Sequence, residues 1–367
     1  MAVWRFIKKN TVFCIAAMAA LVTCFFVPPD AAYLDYFDWK TLACLFITLA
    51  VVCALRNIKF FTILARHLVR LAGNLRGLFL LLVVITFIGS MLIANDMALI
   101  TFLPLGYFAL STVGKEKYMA YLFILQNISA NLGGMLTPFG NPQNLYLYSY
   151  FQIPTGEFML TMLPPFLLAV GMLCVACLFV PSQSLTINER FGEKLSVKRT
   201  VLYLLLFALS LLVVFRVVPF PIGLLVVTAV LLLADREALL MVDYPLLGTF
   251  FFFFIFSGNL ARIEAVNQFV SWLLEKDALL VSTLSCQFIS NVPTAVLLSQ
   301  FTENYRPLLL GVNIGGVGTL IASLASLITF SEFRLLYPEH GKRYFWLFTL
   351  VNGIFLVVMT AAAKFVF

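Results

Sequence analysis

Four short polar stretches stand inside segments that are otherwise almost wholly apolar. The first is Ile93-Ala94-Asn95-Asp96-Met97-Ala98, where Asp96 is the one carboxylate deep within the apolar block 76–113. A charge at membrane depth costs about 3 kcal/mol or more, so such an acid points to ion coupling or a proton relay. Asn95 or Asp96 can also cap a returning half-helix, and the two roles are compatible. The second stretch, Ser290-Asn291-Val292-Pro293-Thr294, interrupts the block 278–302 and brings neutral oxygens only. Pro293 suits the first turn of a returning helix. The third is Thr137-Pro138-Phe139-Gly140-Asn141-Pro142-Gln143-Asn144, whose prolines, glycine and asparagines cannot continue a helix. Unwound chain there exposes carbonyls to a cation, and the next helix turns its N–H groups toward an anion. A plain surface loop is the alternative. The fourth runs from Thr319 to Ser326, 182 residues beyond Thr137, and sets Ala322 against Gly140, Ser323 against Asn141 and Ser326 against Asn144.

These stretches need a scaffold, and composition says which. Hydrophobic residues make up 62% of the 367 positions and charged residues 11%, with a mean hydropathy of +1.01. A soluble domain runs nearer half apolar and about a quarter charged. Apolar runs near 11–27, 41–55, 119–136, 158–180, 200–217, 220–234, 244–257, 307–330 and 344–363 predict about nine full spans. The two interrupted blocks predict re-entrant helical hairpins. The fold class is therefore an all-α integral membrane protein. Arg5, Lys8 and Lys9 precede the first apolar run, which is long for a signal peptide and is read as a retained first span.

The net charge of +7 fits the positive-inside bias and not a nucleic-acid footprint. Threading nine spans from a cytoplasmic N-terminus, with both blocks as hairpins, leaves 18 of the 24 lysines and arginines on the cytoplasmic side. Making either block a full span would reverse everything after it and spoil that bias. The expected location is a cell (inner or plasma) membrane. Residues 57–73 mix Lys59, Arg66, His67 and Arg70 with Phe, Ile and Leu, as a helix lying in the interface does, and 259–276 hold the matching place later on. An ordinary connector is the alternative.

The chain also repeats itself. Asp38-Trp39 and Asp243-Tyr244 each open an apolar run. Asn95-Asp96 and Ser290-Asn291 follow, then Asn131-Leu132-Gly133-Gly134 and Asn313-Ile314-Gly315-Gly316, then Thr137 and Thr319. The order is the same in both halves, and the second is shorter. Residues 1–180 form the first copy, 181–199 a cytoplasmic linker, and 200–367 a linker span with the second copy. An odd number of spans before the second copy starts it on the opposite side, which makes the repeats inverted. Secondary transporters are commonly built so, with broken helices and a site between the copies.

Other chemistries lack their parts. The histidines are His67 and His340, both in polar flanks, and there is no HExxH, Walker loop or pair of intramembrane aspartates. Cys174 and Cys177 sit mid-helix among Leu and Val and read as packing. The reading is a carrier, not an enzyme, with no cofactor.

At these motifs the chain resembles the ion transporter superfamily: divalent-anion/sodium symporters, arsenite/antimonite permeases, citrate transporters and a branch of Na+/H+ antiporters. Ala94-Asn95-Asp96-x-Ala98-Leu99 with Pro104 looks like the first hairpin of the arsenite permeases. Ser290-Asn291-Val292-Pro293-Thr294 is similar to the Ser-Asn-Thr tip of the divalent-anion symporters, and Gly140-Asn141-Pro142-Gln143-Asn144 to their Gly-x-Pro-Pro-Asn loop. The resemblance implies cation sites at Asn95 with Gly140 and at Ser290 and Asn291 with Ala322. Substrate would meet Asn95, Asp96, Asn291, Thr294 and the loop groups Thr137, Asn141, Asn144, Thr319 and Ser323. It also implies a homodimer and an elevator-like movement. Asp96 stands where the dicarboxylate symporters carry Thr, and an acid there repels a dianion unless protonated. The segment from Ser323 to Ser326 lacks the Pro-Pro-Asn element. The expected function is secondary transport of a small inorganic or organic anion or oxyanion coupled to Na+ or H+, with arsenite or antimonite efflux and Na+/H+ antiport as alternatives.

Overall fold

The computed structural model describes residues 10–69, 71–185 and 195–365. The basic N-terminus, Arg70 and residues 186–194 of the 181–199 linker lie outside the described residues. Among the described residues the regular structure is helical, and the one β pairing is an isolated bridge, Asn74 with Ser184. In order, the helices are α1 (Thr11–Phe26), α2 (Trp39–Asn57), α3 (Phe60–Val69), α4 (Leu75–Ile93), α5 (Asn95–Thr112), α6 (Met119–Gly133), α7 (Pro142–Tyr150) and α8 (Thr155–Leu178). After the linker come α9 (Val197–Val214), α10 (Phe220–Ala234), α11 (Arg236–Leu240), α12 (Tyr244–Arg262), α13 (Glu264–Ile289), α14 (Asn291–Leu298), α15 (Tyr305–Ile314), α16 (Leu324–Leu336) and α17 (Gly341–Phe365).

Among the described residues, six segments are long and apolar enough to cross a membrane: α2, α4, α8, α9, α12, and α17 with the turn before it. Nine spans were expected from the apolar runs, and helix length accounts for the difference. The runs at 11–27 and 220–234 form α1 and α10, apolar helices of 16 and 15 residues. At 1.5 Å per residue these rise only about 24 Å, against a hydrocarbon core of about 30 Å. The run at 119–136 forms α6, which stops at Gly133 after 15 residues, and the run at 307–330 is divided between α15 and α16. Conversely α4, expected as a hairpin arm, has 19 residues and span length of its own.

Local chemistry sets the boundaries. Asp38 accepts from the Thr41 amide at 2.9 Å and Asp243 from the Leu246 amide at 3.0 Å, so the two acids that open corresponding runs cap α2 and α12. Asn74 caps α4 through the Gly77 amide at 2.8 Å, and Asp277 accepts from the Leu280 amide at 2.9 Å. Asp277 is non-helical, with φ −164° and ψ 85°, and divides α13 into a leading helix and an arm that starts at Ala278. Each hairpin therefore begins at a capped position and turns at a single residue.

The contacts are reciprocal between halves. Both arms of the first hairpin, α4 and α5, pack on α6, and both arms of the second, α13 and α14, pack on α15. The returning arm α5 also meets α16, while the returning arm α14 meets α7. Around this centre, α2 packs on α9 and α10, and α1 on α12. The apolar core follows the same path: Phe79, Phe123, Leu125, Ile128, Val296, Leu309 and Val312 are at most 1% exposed.

Candidate functional site

The two hairpin tips are built alike. Ala94 has φ 65° and ψ 154°, and Ser290 has φ 72° and ψ 157°, a backbone region that essentially only glycine visits freely. Each such residue costs on the order of 1–3 kcal/mol and persists only where its surroundings hold it. The residue after each is a buried asparagine whose side-chain oxygen accepts from the next amide: Asn95 Oδ1 from Asp96 N at 3.0 Å, Asn291 Oδ1 from Val292 N at 2.9 Å.

The tips meet the breaks. In the first half, Asn95 donates to Asn131 Oδ1 on α6 at 3.2 Å, and Thr137 Oγ1 donates to Met91 O at 3.1 Å. Gly133 and Gly134 end α6, and Pro142 begins α7 at a position where a missing N–H is harmless. Asn144 reaches back from α7 to the carbonyls of Gly134 (3.1 Å) and Met135 (3.3 Å). Gly140 has to be glycine, because a Cβ there would lie 2.3 Å from Gly134 O. In the second half, Asn291 N donates to Ala322 O at 2.9 Å. Ser290 Oγ donates to the same carbonyl at 3.4 Å. Ser323 starts α16 as its cap, accepting from Ser326 N at 3.2 Å, in the place Asn141 holds before α7.

Asparagines then brace one half against the other. Asn313 on α15 donates to Asn144 Oδ1 on α7 at 2.6 Å. Asn127 on α6 donates to Ser326 Oγ on α16 at 3.3 Å. Each helix before a break thus holds the helix after the other break. Asn141 donates to Asn131 O at 3.1 Å and contacts Asn313 Oδ1 at 3.5 Å, and Thr329 Oγ1 donates to Asn127 Oδ1 at 3.4 Å. All of these side chains are buried. Three further oxygens nearby in sequence are buried without a hydrogen-bond partner: Asp96 Oδ1 at the first tip, and Asn141 Oδ1 and Gln143 Oε1 in the first break. Such orphans are costly unless something donates to them or binds them.

The expected residues fall into two groups. Asn95, Thr137, Asn141, Asn144, Ser290, Asn291, Ala322 and Ser323 lie where tips and breaks meet, and Asn291 bonds Ala322 directly. Thr294 is buried one turn into α14, its hydroxyl donating to Ser290 O at 2.7 Å. Others stand apart. The side chain of Asp96 joins none of the network's hydrogen bonds, and its neighbour Met97 receives Arg56 Nη1 at 4.0 Å from Sδ. Thr319 is exposed and commits its hydroxyl to Gln287 O at 3.0 Å. The hydrogen bonds recorded for Gly140 and Asn95 do not join the two to each other; Gly140 N goes to Thr137 O at 3.2 Å.

Sequence reasoning missed Asn127, Asn131, Asn313, Ser326, Thr329 and Gln287 as site residues. Asn131 and Asn313 were visible as markers of the repeat, and that was their signal. Gln287 carried none. It sits on α13 before the second tip and bonds the Gly315 carbonyl at 2.9 Å, the Val317 carbonyl at 3.2 Å and the Thr319 amide at 2.9 Å.

A helical membrane scaffold whose two strained hairpin tips and two broken helices converge on buried amides and hydroxyls defines a carrier of small solutes. The chain belongs to the citrate transporter family, whose model matches residues 1–307. It is 34% identical to an uncharacterized transporter of Methanocaldococcus jannaschii over 89% of this chain and 90% of that protein. It is 27% identical to the inner membrane protein YbiR of Escherichia coli over 95% of this chain and 93% of that protein. It is also 33% identical to the silicon efflux transporter LSI3 of Oryza sativa subsp. japonica, over 42% of this chain and 31% of that one. The chain is therefore a multi-pass membrane protein of a transporter family.

Proposed function

We propose that this protein is a secondary active transporter of a small anion or oxyanion, coupled to Na+ or H+, working by elevator-like alternating access. The observation that carries the reading is the reciprocal bracing: Asn313 to Asn144 and Asn127 to Ser326. Two copies of one unit of opposite orientation, split near the linker at 181–199, meet in this way. A hairpin tip and a broken helix from each copy would then enclose the substrate. Substrate contacts would come from Asn95, Asp96, Thr137, Asn141, Asn144, Asn291, Thr294, Thr319 and Ser323. Cation contacts would come from Asn95, Asp96 and Gly140 in one copy and Ser290, Asn291 and Ala322 in the other. The donors available are amide, hydroxyl and carbonyl oxygens with one carboxylate, the set a hard cation takes. The protein acts without enzymatic chemistry, as a homodimer in a cell membrane with its N-terminus in the cytoplasm.

One observation favours a second reading, efflux of an uncharged or weakly acidic hydroxide of the arsenite or antimonite kind. No lysine, arginine or histidine of the described residues donates into the asparagine network. A multiply charged anion would find no countercharge there, whereas a neutral hydroxide would find both donors and acceptors. The likeness to a relative named as a silicon efflux transporter agrees. Na+/H+ antiport rests on the unpartnered Asp96 Oδ1 alone.

Liposomes holding the purified protein test all three. Uptake of carboxylates, phosphate, arsenite and silicic acid is measured with imposed Na+ or H+ gradients, and a pH dye reports antiport. Gradient-driven movement of one solute is expected, and Asp96→Asn is expected to abolish its dependence on the proton gradient. Solute movement that runs only downhill, indifferent to both gradients, would refute secondary transport. Unchanged proton coupling in Asp96→Asn would refute the relay.

A further inference from the structure

The helix α9 ends in a way that its own residues do not favour. Arg216 N donates to Val213 O at 3.1 Å and Val217 N to Leu212 O at 2.9 Å, the paired bonds that close a helix C-terminus around one left-handed residue. That residue is Arg216, with φ 66°. Glycine is the usual occupant, because a Cβ is penalised in this conformation. Arginine adds a second cost, since its Nε is buried without a hydrogen-bond partner. Both costs vanish with glycine, so the cap does not explain the side chain.

What the side chain gains lies on another helix. Arg216 Nη2 donates to Tyr148 O in the last turn of α7, and its guanidinium carbon stands 4.2 Å from the centre of the Tyr148 ring. One planar fork thus takes a carbonyl at the negative end of a helix and the face of an aromatic ring. Tyr148 is a firm handle. It is 2% exposed, its hydroxyl pairs with Thr155 Oγ1 at 2.7 Å, and its ring meets Phe158 edge-on at 5.9 Å. The same end of α9 reaches the first break, where Phe215 packs edge-to-face on Phe139 with ring centres 5.8 Å apart. Phe139 lies between Pro138 and Gly140, in the unwound segment itself. Two adjacent residues of α9 therefore touch both the break and the far end of the helix that follows it. The Tyr148 carbonyl also accepts from Ile153 N at 3.2 Å, so it keeps a partner without Arg216. The arginine bears on where α7 stands more than on whether it folds.

We propose that Arg216 is a positioning residue for transport: it holds α7 and the first break against the end of α9, and it lets go when the hairpin unit moves. The release rests on the proposed elevator-like movement, whereas the grip does not.

The test uses the full chain with Gln152→Cys and Val217→Cys, two exposed positions beside the contact, joined by a cleavable bis-maleimide. Uptake of carboxylates, phosphate, arsenite and silicic acid is measured in liposomes. It is expected to fall in step with the joined fraction and to return on cleavage, while each chain carrying one of the two new cysteines transports as before under the same reagent. Undiminished uptake in the fully joined chain would overturn the release. The grip is read in detergent without any solute. Adding Arg216→Gly is expected to slow joining at least about threefold, less than one charge-assisted hydrogen bond is worth, and to leave the thermal midpoint within about 3 °C. Arg216→Lys keeps the charge but not the fork and is expected to slow joining as well. Joining at the parent's rate in either variant would overturn the grip. Should Arg216→Gly fail to fold, Arg216→Lys, which leaves the backbone preference unchanged, decides alone. A parent chain that moves none of these solutes would refute transport, and with it the release, while the joining rates still decide the grip.

Discussion

Truncating Asn313 isolates what the bracing between halves contributes. Asn313→Ala is best judged against Asn352→Ala, because both side chains are buried on helices, at 1% and 0% exposure. The volume removed is the same, so cavity and transfer costs largely cancel on subtraction. Both side chains also donate to the carbonyl four residues back, Leu309 O at 2.9 Å and Phe348 O at 3.0 Å, and helical amides still serve those carbonyls after truncation. What differs is the rest. Asn313 serves Asn144 Oδ1 at 2.6 Å, an atom that is left buried and unpaired once Asn313 is gone. Asn352 Oδ1 has no partner to lose. An orphaned buried acceptor costs about 1–3 kcal/mol, and that is the expected excess destabilisation of Asn313→Ala over Asn352→Ala. Reversible unfolding in mixed micelles gives both values. A cycle with Asn144→Ala should return a coupling of about 1 kcal/mol. If the two truncations cost the same, or the cycle shows no coupling, the brace contributes nothing and the argument that unites the two halves at this point fails.

Gly140→Ala is expected to fold yet lose transport, since its Cβ would meet Gly134 O at 2.3 Å and only a backbone shift relieves that contact; Gly156→Ala, with nothing within 4 Å, should transport normally. Gln287→Ala removes the partners of Gly315 O, Val317 O and Thr319 N, so the Thr319 amide should exchange hydrogen faster by at least tenfold, for about 1.4 kcal/mol or more of lost local stability. Arg262 bonds Asp30 at 2.6 Å and holds its carboxyl below the usual carboxylate range. Because the folded value is depressed, that stabilisation is complete above the ordinary carboxylate pKa and is lost as pH falls through the lowered one. The gap in thermal midpoint between the parent chain and Arg262→Gln should therefore be constant near neutrality and close in acid.

Elements whose ends are marked by a single residue's chemistry were the ones a sequence could locate. Asp38 and Asp243 open their helices because a carboxylate accepts the free amides of a first turn, wherever the helix later packs. The break after Gly134 was equally plain, because prolines withhold donors whatever surrounds them. Span counting fared worse, since apolar composition fixes what is buried and not how long a helix runs. The helices that open the runs at 119–136 and 307–330, α6 and α15, stop at the glycine pairs Gly133-Gly134 and Gly315-Gly316. Asp96 shows the same limit from the polar side. Its rarity was legible, but whether its side chain joins the asparagine network depends on the turn at Ala94, which no composition encodes.

The second break exposes the physical reason most clearly. It has no proline between Gly315 and Ser323, and its residues Leu320, Ile321 and Ala322 would sit comfortably in a helix. It stays open because Gly318 takes φ 125° and because Gln287, contributed by another helix, satisfies the backbone groups that unwinding frees. An intrinsic break is written in the residues that form it, as from Thr137 to Asn144. An imposed break is written in a residue elsewhere, and only the fold connects the two. The first break is therefore an unwound segment that its own prolines and glycine keep open, whereas the second draws on Gln287 as well as on Gly318. If one of the two breaks closes and reopens as the hairpins move, it is the second, because the groups that hold it open, Gln287 and the tip residues Ser290 and Asn291, come from other helices.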